Sequence, residues 1–378
     1  MKFELTDVQR DIQKAAREFA EKEFDPDLAL ELEREERFPE PLFKKACQLG
    51  FIGIDYPEQY GGQSLGLFEN ALVIEEFARK DSGIGISLSL ADLGSCIILK
   101  HGDESQKNRF LPPITLGRAV SSVVFIDPSH SAEEEPSIAE AKDDSGEYII
   151  NKGESQTPHG SFEGTFIVLG TGFDPGKILA LIVEKDREGV MISGSNQMMG
   201  MKISSVRKVV LNRVKVPGDH VIRGRDGEKN PLMTYHQVYR IRTSAQALGI
   251  SQGAFERAVR HAREREQFGR KIAQFQGIQF MLAELYTRIE AVRSLVYRVA
   301  FAYDVQSPDL EVLTSVTRLL ATEVAVKTTV ESIQIHGGVG LMKEYSIERM
   351  FRDAKTIQNF EETNLVQKAL IGRKIIFS

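Results

Sequence analysis

At 378 residues the chain exceeds the roughly 250 to 300 residues at which one hydrophobic core stops growing, so two or three domains and a large buried ligand can be accommodated. Apolar residues make up 42% and charged residues 27%, the balance of an ordinary globular protein, and the formal net charge of -6 provides no basic footprint for DNA or RNA. The two cysteines, Cys47 and Cys96, are too few for a disulfide framework or a multi-cysteine metal site, no stretch approaches the ~20 apolar residues of a membrane span, and no leader-like segment opens the chain, so the expectation is a cytoplasmic protein.

From Thr6 to Gly50 the apolar positions Val8, Ile12, Ala15, Phe19 and then Leu42, Phe43, Ala46, Leu49 recur at three- and four-residue steps, and Thr6 is placed to cap the first helix. After the turn Tyr60-Gly61-Gly62, helical pattern resumes over Leu67–Ala78, an apolar segment runs from Ile84 to Leu99, and the charged run Asp103–Arg109 closes at Leu111-Pro112-Pro113. Between Ala119 and about Val221 the character changes. Short β-branched runs, Ser121–Ile126, Tyr148–Ile150, Thr165–Leu169, Ile178–Val183 and Lys208–Val216, are separated by Gly, Pro, Asp and Ser and predict strands. From Met233 helical periodicity returns, with breaks expected only at Gln306-Ser307-Pro308 and Gly337-Gly338. The expectation is an α+β chain: an N-terminal helical domain (1–118), a middle β barrel or sandwich (119–225) and a C-terminal helical bundle (226–378). No internal repeat or low-complexity tract points elsewhere.

Four blocks in the last third carry chemistry: Arg265-Glu-Gln-Phe-Gly-Arg-Lys-Ile with Gln274-Phe275-Gln276, Gln334-Ile-His-Gly-Gly-Val-Gly, Glu344-Tyr-Ser-Ile-Glu-Arg-Met-Phe-Arg-Asp-Ala-Lys355, and Phe360-Glu361-Glu362-Thr363. In order and spacing they resemble the acyl-CoA dehydrogenase family, and Tyr60-Gly-Gly, Met199-Gly-Met-Lys and Arg240-Ile-Arg-Thr-Ser-Ala-Gln-Ala-Leu-Gly249 extend the resemblance over nearly the whole chain. The resemblance implies a helical, β, helical subunit whose C-terminal part is a four-helix bundle. It implies a dimer of dimers with FAD at a subunit interface, oxidation of an acyl-CoA thioester to an enoyl-CoA, and an electron-transferring flavoprotein as acceptor.

Under that resemblance Glu361 takes the position of the base that removes a proton alpha to the thioester, a task for a carboxylate in a largely apolar slot. Read from the residues alone, a glutamate there is also an ordinary helix N-terminal carboxylate. Arg265 would fork onto the FAD diphosphate. Gln267, Phe268, Phe275, Gln276, Gln334 and the Gly337-Gly338 backbone would complete the cofactor contacts, with Thr363 near the flavin; without the resemblance Arg265 reads as a surface arginine on a charged helix. Arg240 is expected beside the CoA moiety or the pocket. Asp92, alone in an apolar stretch, is expected either to be satisfied by a neighbour or to meet a polar acyl group.

Three departures stand out. Glu362 replaces the family's glycine and, pointing inward, would crowd Glu361 with like charge; solvent is the favoured side. The two middle-domain segments that hold the flavin ring in the family read Ile126-Asp-Pro-Ser-His130-Ser-Ala-Glu133 and Gly153-Glu-Ser-Gln156-Thr-Pro-His159-Gly160, and the chain has no tryptophan. His159 or Gln156 standing in for ring contacts, a related partner subunit forming a composite heterotetramer, and loss of flavin are the competing explanations. The altered loops suggest a cyclic, aromatic-pathway or dicarboxylic acyl group. A metal at His130 and His159 lacks a local third ligand, so none is expected.

Overall fold

The computed structural model describes residues 4–126, 138–140, 146–160, 162–171, 178–194, 197–222 and 230–377. Helices come first: α1 (Asp7–Glu23), α2 (Pro26–Glu35), α3 (Glu40–Gln48), α4 (Leu67–Lys80), α5 (Ser82–Leu90), α6 (Ser95–His101), α7 (Glu104–Phe110) and α8 (Pro112–Thr115). Strands follow: β1 (Val120–Phe125), β2 (Ile138–Glu140), β3 (Tyr148–Thr157), β4 (Gly164–Thr171), β5 (Ile178–Glu184), β6 (Val190–Ile192), β7 (Arg207–Val216) and β8 (Val221–Ile222). The last part is helical again, with α9 (Pro231–Glu264), a hairpin of β9 (Glu266–Gln267) and β10 (Arg270–Lys271), then α10 (Gln276–Asp304), α11 (Leu310–His336), α12 (Ile347–Asn359) and α13 (Asn364–Phe377). The expected order of helical, β and helical parts is the order observed.

Local chemistry sets several boundaries. Thr6 and Gln9 form a reciprocal capping box at the start of α1, and Asp103 caps α7 by accepting the Gln106 N–H at 2.8 Å. One expectation fails after α9. The apolar pattern gives no break there, yet the chain leaves the helix at Arg265 and turns through Phe268 (φ +54°) and Gly269 (φ +76°). Two consecutive positive-φ residues between paired Gln267 and Arg270 make a two-residue hairpin turn, which periodicity does not register.

The strands form two four-stranded sheets, β1-β4-β5-β8 and β2-β3-β7-β6, with β1 and β4 parallel and the other neighbours antiparallel. Alternation along β4 and β5 shows how the first sheet is used. Phe166, Val168, Leu181 and Val183 face the second sheet in a core with Val209, Leu211 and Val214, while Ile167, Leu169, Ala180 and Ile182 pack into the core of the helical parts. The stretch Ser82–His101 is long and apolar enough to cross a membrane by length and composition, contrary to the sequence reading, but 94% of it is buried within the fold, where α5 and α6 fill the helical core.

Helix α9 runs 34 residues and packs against α4, α10 and α11. Two glycines permit its contact with α4: a Cβ at Gly249 would lie 2.3 Å from the Glu75 carbonyl oxygen, and one at Gly253 would lie 2.1 Å from that of Arg79. Gly253→Ala is therefore expected to lower unfolding stability by about 1–3 kcal/mol, although alanine is the better helix former. Urea denaturation of the variant tests this, and a stabilised variant would show that the two helices separate freely.

Candidate active site

Between α12 and α13 the chain passes through residues 360–363, and this short connection is unusually constrained. Glu361 has φ +56°, and the Glu362 N–H donates across it to the Phe360 carbonyl at 2.7 Å. That is the hydrogen-bond pattern of a three-residue turn in its rarer, positive-φ form, a strained conformation for a residue with a side chain. The Phe360 carbonyl also accepts from the Tyr239 hydroxyl at 2.8 Å and from Arg318 Nη2 at 3.3 Å, and the same nitrogen donates to the Ile357 carbonyl at 3.3 Å.

The Glu361 carboxylate accepts a short hydrogen bond from the Tyr235 hydroxyl. Tyr235 and Tyr239 are one turn apart on α9, with rings stacked at 5.7 Å and 10°, and Phe125 at the end of β1 meets Tyr235 edge-on at 5.2 Å. Desolvation raises the Glu361 pKa to about 7; Tyr235 and Arg318 pull it down and neighbouring Glu362 pushes it up. Glu361 keeps an exposed face in the isolated chain, while its carboxyl lies in a region dense with protein atoms.

Glu362 does not point to solvent, as the sequence reading favoured; it is 6% exposed. Arg240, itself buried, grips it with two hydrogen bonds, Nε at 2.8 Å and Nη2 at 2.6 Å. His236 Nδ1 stands 2.9 Å from Oε1, and Gln367 Nε2 donates to Oε2 at 3.0 Å. Burial opposes ionisation of Glu362, but the Arg240 and His236 contacts prevail and hold its pKa well below the usual carboxylate range. Arg240 is thus bound to the connection and to Ser315 Oγ of α11 at 3.2 Å, and Glu362 supplies the counter-charge that a glycine would not.

A second group of residues converges at the far end of α9. Arg265, Gln267, His261 and Ile272 line a pocket of about 490 Å³ with Ile335, His336, Gly337, Gly338 and Met342, joining two sequence blocks some seventy residues apart. Gly337 has φ +66°, and a Cβ at either glycine would meet nothing within 4 Å. Gln334 is exposed in the last turn of α11, where its carbonyl accepts from the Gly337 N–H. On the adjoining hairpin Phe268 is 91% exposed, and the Phe275 ring lies 4.0 Å beneath the Arg270 guanidinium, with Gln276 exposed at the start of α10. Thr363 lies away from this pocket, half-buried before α13. Along α9, residues 239 and 265 are separated by about 39 Å at 1.5 Å per residue, so one chain does not bring both groups to a single small molecule.

Asp92 is satisfied by a neighbour. It pairs with Arg242 at 2.5 Å in a fully buried cluster where Arg242 also reaches the Ser89 carbonyl at 3.2 Å. His159 is corrected as a ring contact: it is fully buried, its two ring nitrogens each 2.9 Å from a carbonyl, of Ser204 and Ser87, and its face is 4.6 Å from Phe38. Desolvation depresses its pKa to about 3. Gln156 is half-buried with a buried Oε1 that has no hydrogen-bond partner among the described residues. The Asp127–Glu133 part of the first altered loop, with His130, lies outside the described residues. Sequence reasoning missed Tyr235, His236, Tyr239 and Arg318. The spacing of Tyr235 with Tyr239, and of His236 with Arg240, was the available signal, since residues four apart share a helix face.

Comparison with known proteins agrees with this architecture. The family description "Acyl-CoA dehydrogenase, N-terminal domain" matches residues 6–118 and "Acyl-CoA dehydrogenase, C-terminal domain" residues 232–376. The short-chain specific acyl-CoA dehydrogenase of Clostridium acetobutylicum is 34% identical over 380 residues, covering 99% of this chain and 100% of that protein. Among solved structures, butyryl-CoA dehydrogenase from Megasphaera elsdenii is 32% identical with a TM-score of 0.90, covering 100% of both chains. A chain from a structure described as the electron transferring flavoprotein of Acidaminococcus fermentans, solved towards a mechanism of flavin-based electron bifurcation, is 32% identical with a TM-score of 0.92, again over 100% of both. With full-length relatives above 30% identity and both terminal domains matched, the chain belongs to the acyl-CoA dehydrogenase family of oxidoreductases.

Proposed function

We propose that the protein is an FAD-dependent acyl-CoA dehydrogenase in which Glu361 removes the proton alpha to the thioester carbonyl. The carrying observation is the Glu361 carboxyl itself, held by the Tyr235 hydroxyl beside the Phe125 ring on a strained turn, with its pKa raised to about 7. A base works best when its proton affinity lies near the operating pH, and family membership supplies the substrate class.

The residues present fit FAD. Arg265 offers a permanently charged guanidinium to a diphosphate, and at Gly337 and Gly338 any Cβ would take up room in the cradle. When bound, FAD supplies the hydride acceptor for the beta carbon. The distance between the two residue groups along α9 favours a site shared by two subunits, with Arg265, Gln267 and the glycines serving the partner's flavin, as in a homotetramer. The relatives named for short-chain and butyryl substrates favour a short acyl chain, and Asp92, occupied by Arg242, gives no reason to invoke a polar one. The likeness to a chain from the Acidaminococcus fermentans flavoprotein structure supports an electron-transferring flavoprotein as acceptor.

Glu361→Gln is expected to retain flavin and lose turnover by about 10²- to 10⁴-fold, measured with an acyl-CoA and an artificial acceptor; full activity would remove the assignment. Arg265→Ala should weaken FAD binding by about 10- to 100-fold, the worth of a charge-assisted hydrogen bond, which flavin fluorescence titration reads directly. The base must be ionised, so kcat/KM should fall as pH drops through about 7. The Tyr235 hydroxyl donates to the charged form, so Tyr235→Phe raises the Glu361 pKa further and moves the acid limb to higher pH; movement the other way would contradict the hydrogen bond's role.

A further inference from the structure

The strained turn at Glu361 needs anchors on both sides, because such a conformation persists only where its surroundings over-determine it. Upstream the anchor is the Phe360 carbonyl, which accepts from Tyr239, Arg318 and the Glu362 N–H. Downstream it is the Glu362 side chain, with Arg240, His236 and Gln367 around one carboxylate. Arg240 belongs to α9, the helix that also carries Tyr235, and Gln367 to α13, so Glu362 ties the turn to both elements. A glycine at 362, the residue that the family pattern places there, has no side chain to make any of these contacts.

We propose that Glu362 is a positioning residue: its buried pairing with Arg240 holds the turn that aims Glu361 at the substrate and fixes a negative charge beside that base. The proposal rests on the reading of Glu361 as the base. The charged and titratable groups named around Glu361 are Tyr235 and Tyr239 from α9, Arg318 from α11 and adjacent Glu362, with Arg240 and His236 behind it. Removing the Glu362 charge takes a like charge from beside Glu361 and leaves Arg240 without its partner. Both changes favour the Glu361 carboxylate and weaken it as a base.

The test compares Glu362→Gln and the double variant Arg240→Gln/Glu362→Gln with the unmodified holoenzyme, following flavin per chain, thermal unfolding, kcat, KM and the pH of the acid limb. In Glu362→Gln the limb should move to lower pH by about half a unit or more, as expected for loss of a neighbouring like charge. Its kcat should fall about tenfold or more through misplacement of the base. The double variant, which leaves no unpaired arginine at 240, should show the kcat loss with a smaller limb shift, and it decides the matter if the single variant does not fold. A folded, flavin-loaded variant with unmodified kcat and an unmoved limb would overturn the proposal, even if its melting temperature dropped. Glu361→Gln run alongside separates the two readings: if that variant turns over normally, the base assignment itself has failed.

Discussion

The enclosure of α9 is the constraint on which the rest of the molecule depends. A helix packed on α4, α10 and α11 can carry polar groups inward only where each meets a partner, and its buried arginines show the rule. Arg240 meets Glu362 and Arg242 meets Asp92, each at 2.6 Å or closer. Arg318, facing from α11, spends Nη2 on carbonyls and sets its guanidinium 5.5 Å from the Tyr239 ring centre. Such pairs are weak sources of net stability, yet breaking one leaves a buried charge that costs about 3–5 kcal/mol. They fix which face of α9 meets which neighbour, and therefore where Tyr235 and Tyr239 stand.

Two adjacent glutamates show how local environment divides chemical labour. Glu361 has one tyrosine hydroxyl and no paired cation among the described residues, and desolvation dominates. Glu362 has a forked arginine, a histidine and an amide, and the ion pair dominates. Their proton affinities are driven apart, and each opposes the other's ionisation, which reinforces the division. The residue left with the high affinity is the one that has no cation paired to its carboxyl.

Much of the architecture was legible because it rests on periodicity. Five of the strands were located from β-branched runs, four of them within two residues at either end and β3 only over its first three residues, because residues 151–156 are polar, while β2, β6 and β8, at three residues or fewer, are too short to show alternation. The hairpin after α9 was invisible for a different reason: its turn is encoded by Phe268 adopting a positive φ, which no sequence pattern signals for a phenylalanine. At the site, the block order that resembled a family singled out Arg265 and Gly337-Gly338, which the fold brings to one pocket. It said nothing of Tyr235 or His236, and it favoured the wrong side for Glu362. Partner choice for a buried charge is decided by tertiary packing between residues 122 positions apart, beyond the range of any local rule.

The exposed surfaces of the isolated chain follow from the same geometry. Phe268 is almost wholly exposed, and Leu341 and Met342 beyond the glycine pair are 72% and 54% exposed. A single chain gains nothing from an apolar hairpin tip beside a glycine-lined pocket, since exposed apolar groups cluster where another surface or ligand will cover them. The long α9 holds this half-site about 39 Å, at 1.5 Å per residue, from the Tyr239 end of the same helix, too far for one small ligand of a single chain to touch both.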